Sequence, residues 1–134
     1  MTPIPAKIVI VDDHRGVRQT LRALLARAPH WRVYDVESGA DALELIRQIH
    51  PHVALLDLVM PEMNGVELAI EIRRLENAPK IVLMSSHYSP EEAAVLARLF
   101  GDGNFVPKSE AGISLIPTIN RLLPEECQAK GASA

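Results

Sequence analysis

Four short apolar runs, each halted at a residue with chemistry of its own, constrain this chain more than any other feature. Lys7-Ile8-Val9-Ile10-Val11 runs into Asp12 and Asp13, and Val53-Ala54-Leu55-Leu56 into Asp57. Ile81-Val82-Leu83-Met84 runs into Ser85, and Phe105-Val106-Pro107 into Lys108. Short apolar runs that alternate with helical patterns read as strands buried in a parallel sheet. Ligands of such sheets bind beyond the carboxyl ends of the strands. Four strand ends would thus bring three carboxylates, a hydroxyl and an ammonium to one crevice, a donor set suited to a divalent cation and a phosphoryl group.

The intervening segments are helical. Val17, Leu21, Leu24, Leu25 and Ala28 form one apolar face of a first helix closed by Pro29. Arg32 to Val36 reads as a second strand, and Ser38-Gly39 turns into a helix with Ala42, Ile46 and Ile49 inward, ended at His50-Pro51. Met60 to Gly65 is a loop, followed by a helix with Leu68, Ile72 and Leu75 inward. Ser89, Pro90 and Glu92 spell a capping box at the head of a fourth helix. The last helix carries Ile116, Ile119 and Leu123; since proline is harmless only in a first turn, Pro117 sets its start near Ser114, with a kinked, earlier start as the alternative. Residues 1–6 and 124–134 read as loose ends.

Five strand–helix units with short connections predict an α/β fold, a doubly wound five-stranded parallel sheet with helices on both faces. Order 2-1-3-4-5 would set Asp12, Asp13 and Asp57 side by side at the switch point. No G-x-G-x-x-G follows the first strand, which disfavours the dinucleotide-binding order.

Composition narrows the function. The 134 residues suit one domain with a real core, and 48% hydrophobic with 23% charged residues is ordinary for a soluble protein. No apolar stretch approaches the roughly 18 residues of a membrane span, and the N-terminus lacks a signal-peptide pattern. One cysteine, Cys127, allows no internal disulfide and fits a reducing cytoplasm. A net charge of -3 without a basic cluster argues against DNA and anionic lipid as direct partners.

The residues resemble a known family, the receiver domains of bacterial two-component response regulators, the CheY-like superfamily. The matching pieces are Val11-Asp12-Asp13-His14, Leu56-Asp57-Leu58-Val59-Met60-Pro61-Glu62-Met63-Asn64-Gly65, Leu83-Met84-Ser85-Ser86-His87 and Phe105-Val106-Pro107-Lys108-Ser109. The resemblance covers about residues 6–123, giving a receiver over 1–123 and a tail or linker start over 124–134, and is greatest to NarL/FixJ-type receivers. It implies that Asp57 is the phosphoacceptor and that Mg²⁺ is held by Asp13 directly, by Asp12 through water, by Asp57 and by the Val59 carbonyl. Ser85 would be the hydroxyl switch residue, Lys108 the phosphoryl-binding lysine and Phe105 the aromatic switch. Partners would be a sensor histidine kinase or phosphotransfer protein, with room for a homodimer. Gly101-Asp102-Gly103-Asn104 and Pro107 depart from the family's usual sequence.

Each residue also has a plainer reading: Asp12-Asp13 as a helix N-terminal pair, Asp57 as a turn residue, Ser85 and Lys108 as surface residues, Phe105 as core. Their joint occurrence at successive strand ends favours the site. The expected function is a phospho-switch that turns over no substrate beyond its own slow dephosphorylation. Its alternative is a receiver fragment of a longer DNA-binding regulator. An aspartyl-nucleophile hydrolase of the haloacid-dehalogenase type would carry D-x-D, whereas Asp12 and Asp13 are adjacent. The histidines read as surface residues, with His14 and His87 near the pocket rim.

Overall fold

The computed structural model describes residues 4–28, 30–58, 60, 65–85, 89–100 and 104–127. Five strands, β1 (Ala6–Val11), β2 (Trp31–Val36), β3 (Val53–Asp57), β4 (Lys80–Ser85) and β5 (Phe105–Pro107), alternate with five helices. These are α1 (Arg15–Leu25), α2 (Gly39–Ile49), α3 (Gly65–Arg73), α4 (Pro90–Phe100) and α5 (Ala111–Leu122). The sheet is parallel throughout, in the order β2-β1-β3-β4-β5.

Alternation along each strand divides the core into two layers. Ala6, Ile8, Ile10, Val53, Leu55, Val82 and Met84 face one side, where Leu21 and Leu25 of α1 and Leu115 and Ile119 of α5 cover them. Val9, Val11, Ala54, Leu56, Ile81 and Leu83 face the other, under Ala42 and Ile46 of α2 and Leu68 and Ile72 of α3. Burial of both strand faces is why these runs are continuously apolar. The capping box forms as predicted: Ser89 N donates to Glu92 Oε1 at 3.3 Å, and Glu92 N to Ser89 Oγ at 3.2 Å.

α5 departs from the expected start near Ser114 and takes the earlier start given as the alternative. It begins at Ala111, after a 3₁₀ turn at Lys108–Glu110, and contains Pro117. An interior proline costs about 3 kcal/mol, but Leu115 and Ile119 are fully buried, each stabilising by about 1.5–3 kcal/mol. Pro117 lies on the exposed face, as does Ile113, the residue whose carbonyl would have taken the helical N–H that proline lacks.

The chain after α5 is likewise not loose as far as it is described. A 3₁₀ turn at Glu125–Cys127 packs Cys127 into the layer under α1 and α5, and Ile4 N donates to Glu126 O at 2.9 Å. Cys127 Sγ lies 3.5 Å from His52 Nε2, while His52 Nδ1 accepts the Lys7 N–H at 3.0 Å. The neutral ring therefore carries its proton on Nε2 and donates it to the sulfur. His52 is a half-buried structural residue, not the surface residue expected. Burial, then the Lys7 charge, lower its pKa below the ordinary 6.5, against a weaker upward pull from Glu126.

A histidine with a depressed folded pKa leaves the unfolded chain holding more protons below about pH 6.5, so this contribution is complete above that pH and fades as pH falls beneath it. Thermal unfolding at about pH 7.5 and about pH 5.5 should show wild type losing more stability on acidification than His52→Asn. Equal losses would remove His52 from the account.

Candidate functional site

Register brings the predicted residues together. Val11 pairs with Leu56, so the next residues, Asp12 and Asp57, are neighbours at the carboxyl edge of the sheet. Ser85 pairs with Pro107, which sets Lys108 one step beyond. Asp12 is 1% exposed, Asp57 4% and Ser85 2%. Buried carboxylates require compensation, and Lys108 supplies it: Nζ lies 2.8 Å from Asp12 Oδ2 and 3.5 Å from Asp57 Oδ2. Burial alone would lower the Lys108 pKa, but the hydrogen bond and charge of Asp12, joined by Asp57, outweigh it and hold the pKa above the usual 10.5. The ammonium is thus charged throughout the neutral range, and its contribution is lost only as pH rises past that value.

The turn after β1 is held atom by atom. Asp12 N donates to Val36 O at 3.2 Å, and Asp12 Oδ1 accepts His14 N at 2.8 Å, an Asx turn leading into α1. Asp13 is different. Its Oδ1 is buried without a hydrogen-bond partner among the described residues, standing 3.4 Å from His14 Nδ1 without the alignment to accept from it. Asp12, Asp13 and His14 can each bring one ligand atom within 4.8 Å of the others. An orphaned carboxylate oxygen beside the Asp12 carboxylate, with Asp57 on the neighbouring strand end, suits a hard cation that takes oxygen ligands.

Phe105 is half-buried against the layer under α2 and α3. The Val59 carbonyl and His87 lie outside the described residues. Sequence reasoning missed Arg18 and Asp35. Arg18 Nε donates to Asp35 Oδ2 at 2.9 Å and its Nη1 to Asp12 O at 2.8 Å. The signal available was an acidic residue, Asp35, near the end of the second strand, and two arginines four apart in the first helix; their pairing is set by the fold.

Gly65 opens α3 directly on the backbone of Asp57. Its N–H donates to Leu58 O at 3.1 Å, and a Cβ there would collide with the Asp57 carbonyl and lie 2.7 Å from Leu58 Cα. The close approach, not a special φ, demands glycine.

A family model described as the response regulator receiver domain matches residues 8–120. The chain is 37% identical over 82 residues to the transcriptional regulatory protein DegU of Brevibacillus brevis, covering 60% of this chain and 35% of that protein. It is 35% identical over 108 residues to protein-glutamate methylesterase/protein-glutamine glutaminase 5 of Myxococcus xanthus, covering 80% of this chain and 31% of that protein. The chain thus spans about a third of the length of these relatives. Among solved structures, the signal receiver domain of the response regulator NarL from Mycobacterium tuberculosis superposes with a TM-score of 0.73 at 31% identity, covering 86% of this chain and 96% of that one.

Gly65→Ala should destabilise the fold by about 1–3 kcal/mol through overpacking and perturb the Asp57 amide in an NMR spectrum. Unchanged stability would mean that α3 and the end of β3 have room to separate.

Proposed function

Because this chain belongs to the response regulator receiver domain family, the receiver class of two-component signalling, we propose that Asp57 accepts a phosphoryl group and that the loaded site switches a partner-binding surface. The observation that carries this reading is the burial of Asp57 beside Asp12 with the Lys108 ammonium shared between them, and the orphaned Asp13 Oδ1 next to Asp12 in the chain. A carboxylate oxygen of Asp57 attacks phosphorus, forming an acyl phosphate as the donor's P–N or P–O bond breaks. The electron pair of that bond leaves with the donor group. Lys108, charged and already within 3.5 Å of Asp57 Oδ2, binds a phosphoryl oxygen as a point charge.

Mg²⁺ fits this donor set and would be held through Asp13, with Asp12 and Asp57; when bound it neutralises charge on the phosphoryl oxygens. Ser85, buried at the end of β4, offers a hydroxyl to the phosphoryl group. A hydroxyl drawn that way vacates space beside β5, which Phe105, three residues before Lys108, turns to fill. The α4–β5–α5 surface then differs between states, and a partner senses the difference.

The donor in this reading is a histidine kinase or phosphotransfer protein, and a cytoplasmic setting suits it; among the described residues no helix is long and apolar enough to cross a membrane. The methylesterase relative bears its name over a length of which this chain spans 31%, so the receiver itself is read as a switch without turnover. Regulators such as DegU support the alternative in which this receiver governs a DNA-binding unit.

Acetyl phosphate with Mg²⁺ should add one phosphoryl group by intact mass, and Asp57→Asn should show none. Equal labelling of that variant would sink the assignment. Ser85→Ala should still accept phosphate but respond weakly. With a beryllofluoride mimic, amide shifts across residues 89–123 as large as those of wild type would refute the coupling route.

A further inference from the structure

Arg18 is the one long cation of α1 that reaches both the edge strand and the acidic turn. Helical side chains lean toward the helix N-terminus, and Arg18 leans back to the Asp12 carbonyl. Its guanidinium forks: Nε donates to Asp35 Oδ2 at 2.9 Å, and Nη1 to the Asp12 carbonyl at 2.8 Å. The side chain is only 12% exposed. With Arg18 in place, Asp12 has its N–H on Val36 O, its carbonyl on Arg18 and its carboxylate shared between His14 N and Lys108. The peptide joining Asp12 to Asp13 is planar, so fixing the Asp12 carbonyl fixes the plane from which the Asp13 Cα and carboxylate project. The Asp13 carboxylate is held less tightly, since its Oδ1 lacks a hydrogen-bond partner among the described residues.

We propose that Arg18, anchored by Asp35, is a positioning residue that aims the Asp13 carboxylate for cation binding, a reading that rests on the metal-dependent phosphoacceptor site proposed above. Arg22 provides an internal control. It donates to the other oxygen of Asp35 at 2.9 Å and to Val33 O at 2.8 Å, fastening α1 to β2 as Arg18 does, but it has no contact with Asp12 among these bonds. Arg18 is the more buried of the two, so a role limited to fastening would make any loss of cation affinity follow each variant's loss of stability. A positioning role separates them.

The test is Mg²⁺ titration of the full chain by calorimetry, with Arg18→Met, Arg18→Lys and Arg22→Met beside wild type. Arg18→Met should weaken Mg²⁺ about 10-fold, as loss of a group orienting a metal ligand does, with Arg22→Met within about twofold of wild type and Arg18→Lys between. In acetyl phosphate labelling, the half-saturating Mg²⁺ for Arg18→Met should rise by the same factor, while the rate at saturating Mg²⁺ stays within about twofold. A merely unstable protein would not show that split. Wild-type affinity in Arg18→Met, or equal weakening in both arginine variants in step with their melting temperatures, would overturn the proposal. Should Arg18→Met fail to fold, Arg18→Lys decides, and unchanged affinity there overturns it equally. If wild type binds and is labelled normally, such a result removes this inference alone; if wild type neither binds Mg²⁺ nor is labelled, the proposed function falls with it.

Discussion

The ammonium of Lys108 holds two buried carboxylates together, and much of the architecture above the sheet answers to that contact. Asp12 and Asp57 are neighbours because β1 and β3 are, and neither has water enough to relieve its charge. Like charges this close and this dry repel unless a cation is supplied. The supply comes from β5, three places from β1 in the strand order. With strands about 4.8 Å apart, a group delivered there must reach over β4 and β3 to touch Asp12. The four-carbon stem of lysine and the tight 3₁₀ turn at residues 108–110 together make that reach. A slip of any central strand would break it, so the ion cluster and the register depend on each other.

The two ends of the sheet are built to opposite purposes. At the carboxyl edge, polar groups crowd beyond what the chain can satisfy, leaving an oxygen of Asp13 unmatched. At the amino edge the chain resolves its polar groups internally. His52 accepts from Lys7 through one ring nitrogen and meets Cys127 through the other, and its main chain bonds both Lys7 and Lys80. Among the described residues, the unmatched polar oxygen thus lies at one end of the sheet, while the groups around His52 at the other are paired.

The positions of Asp12, Asp57, Ser85 and Lys108 were legible because strand ends are marked by an abrupt change from apolar to polar; the alternation with helices implied a doubly wound parallel sheet, and only the missing G-x-G-x-x-G set its order apart from the dinucleotide-binding one. The capping box at Ser89 was legible because both partners lie within one turn. The start of α5 was not, because Pro117 carries a strong local penalty that only the burial of Leu115 and Ile119 outweighs, and burial is a tertiary quantity. Cys127 was hidden by its polar neighbours. The Arg18–Asp35–Arg22 fastening was hidden because its members come from different elements, and nothing in the spacing of Asp35 alone says which helix will lie across it.

Both margins of the sheet also bear on how the chain behaves in a crowd. An outermost strand with open peptide groups is a template for cross-β growth. β5 is only three residues long and finishes on Pro107, which has no N–H to offer an incoming chain. On the opposite margin, Arg22 occupies the Val33 carbonyl of β2 and, with Arg18, drapes charge along that strand. Once the sheet is formed, a sequence this rich in Val, Ile and Leu thus offers incoming copies two poorly receptive margins.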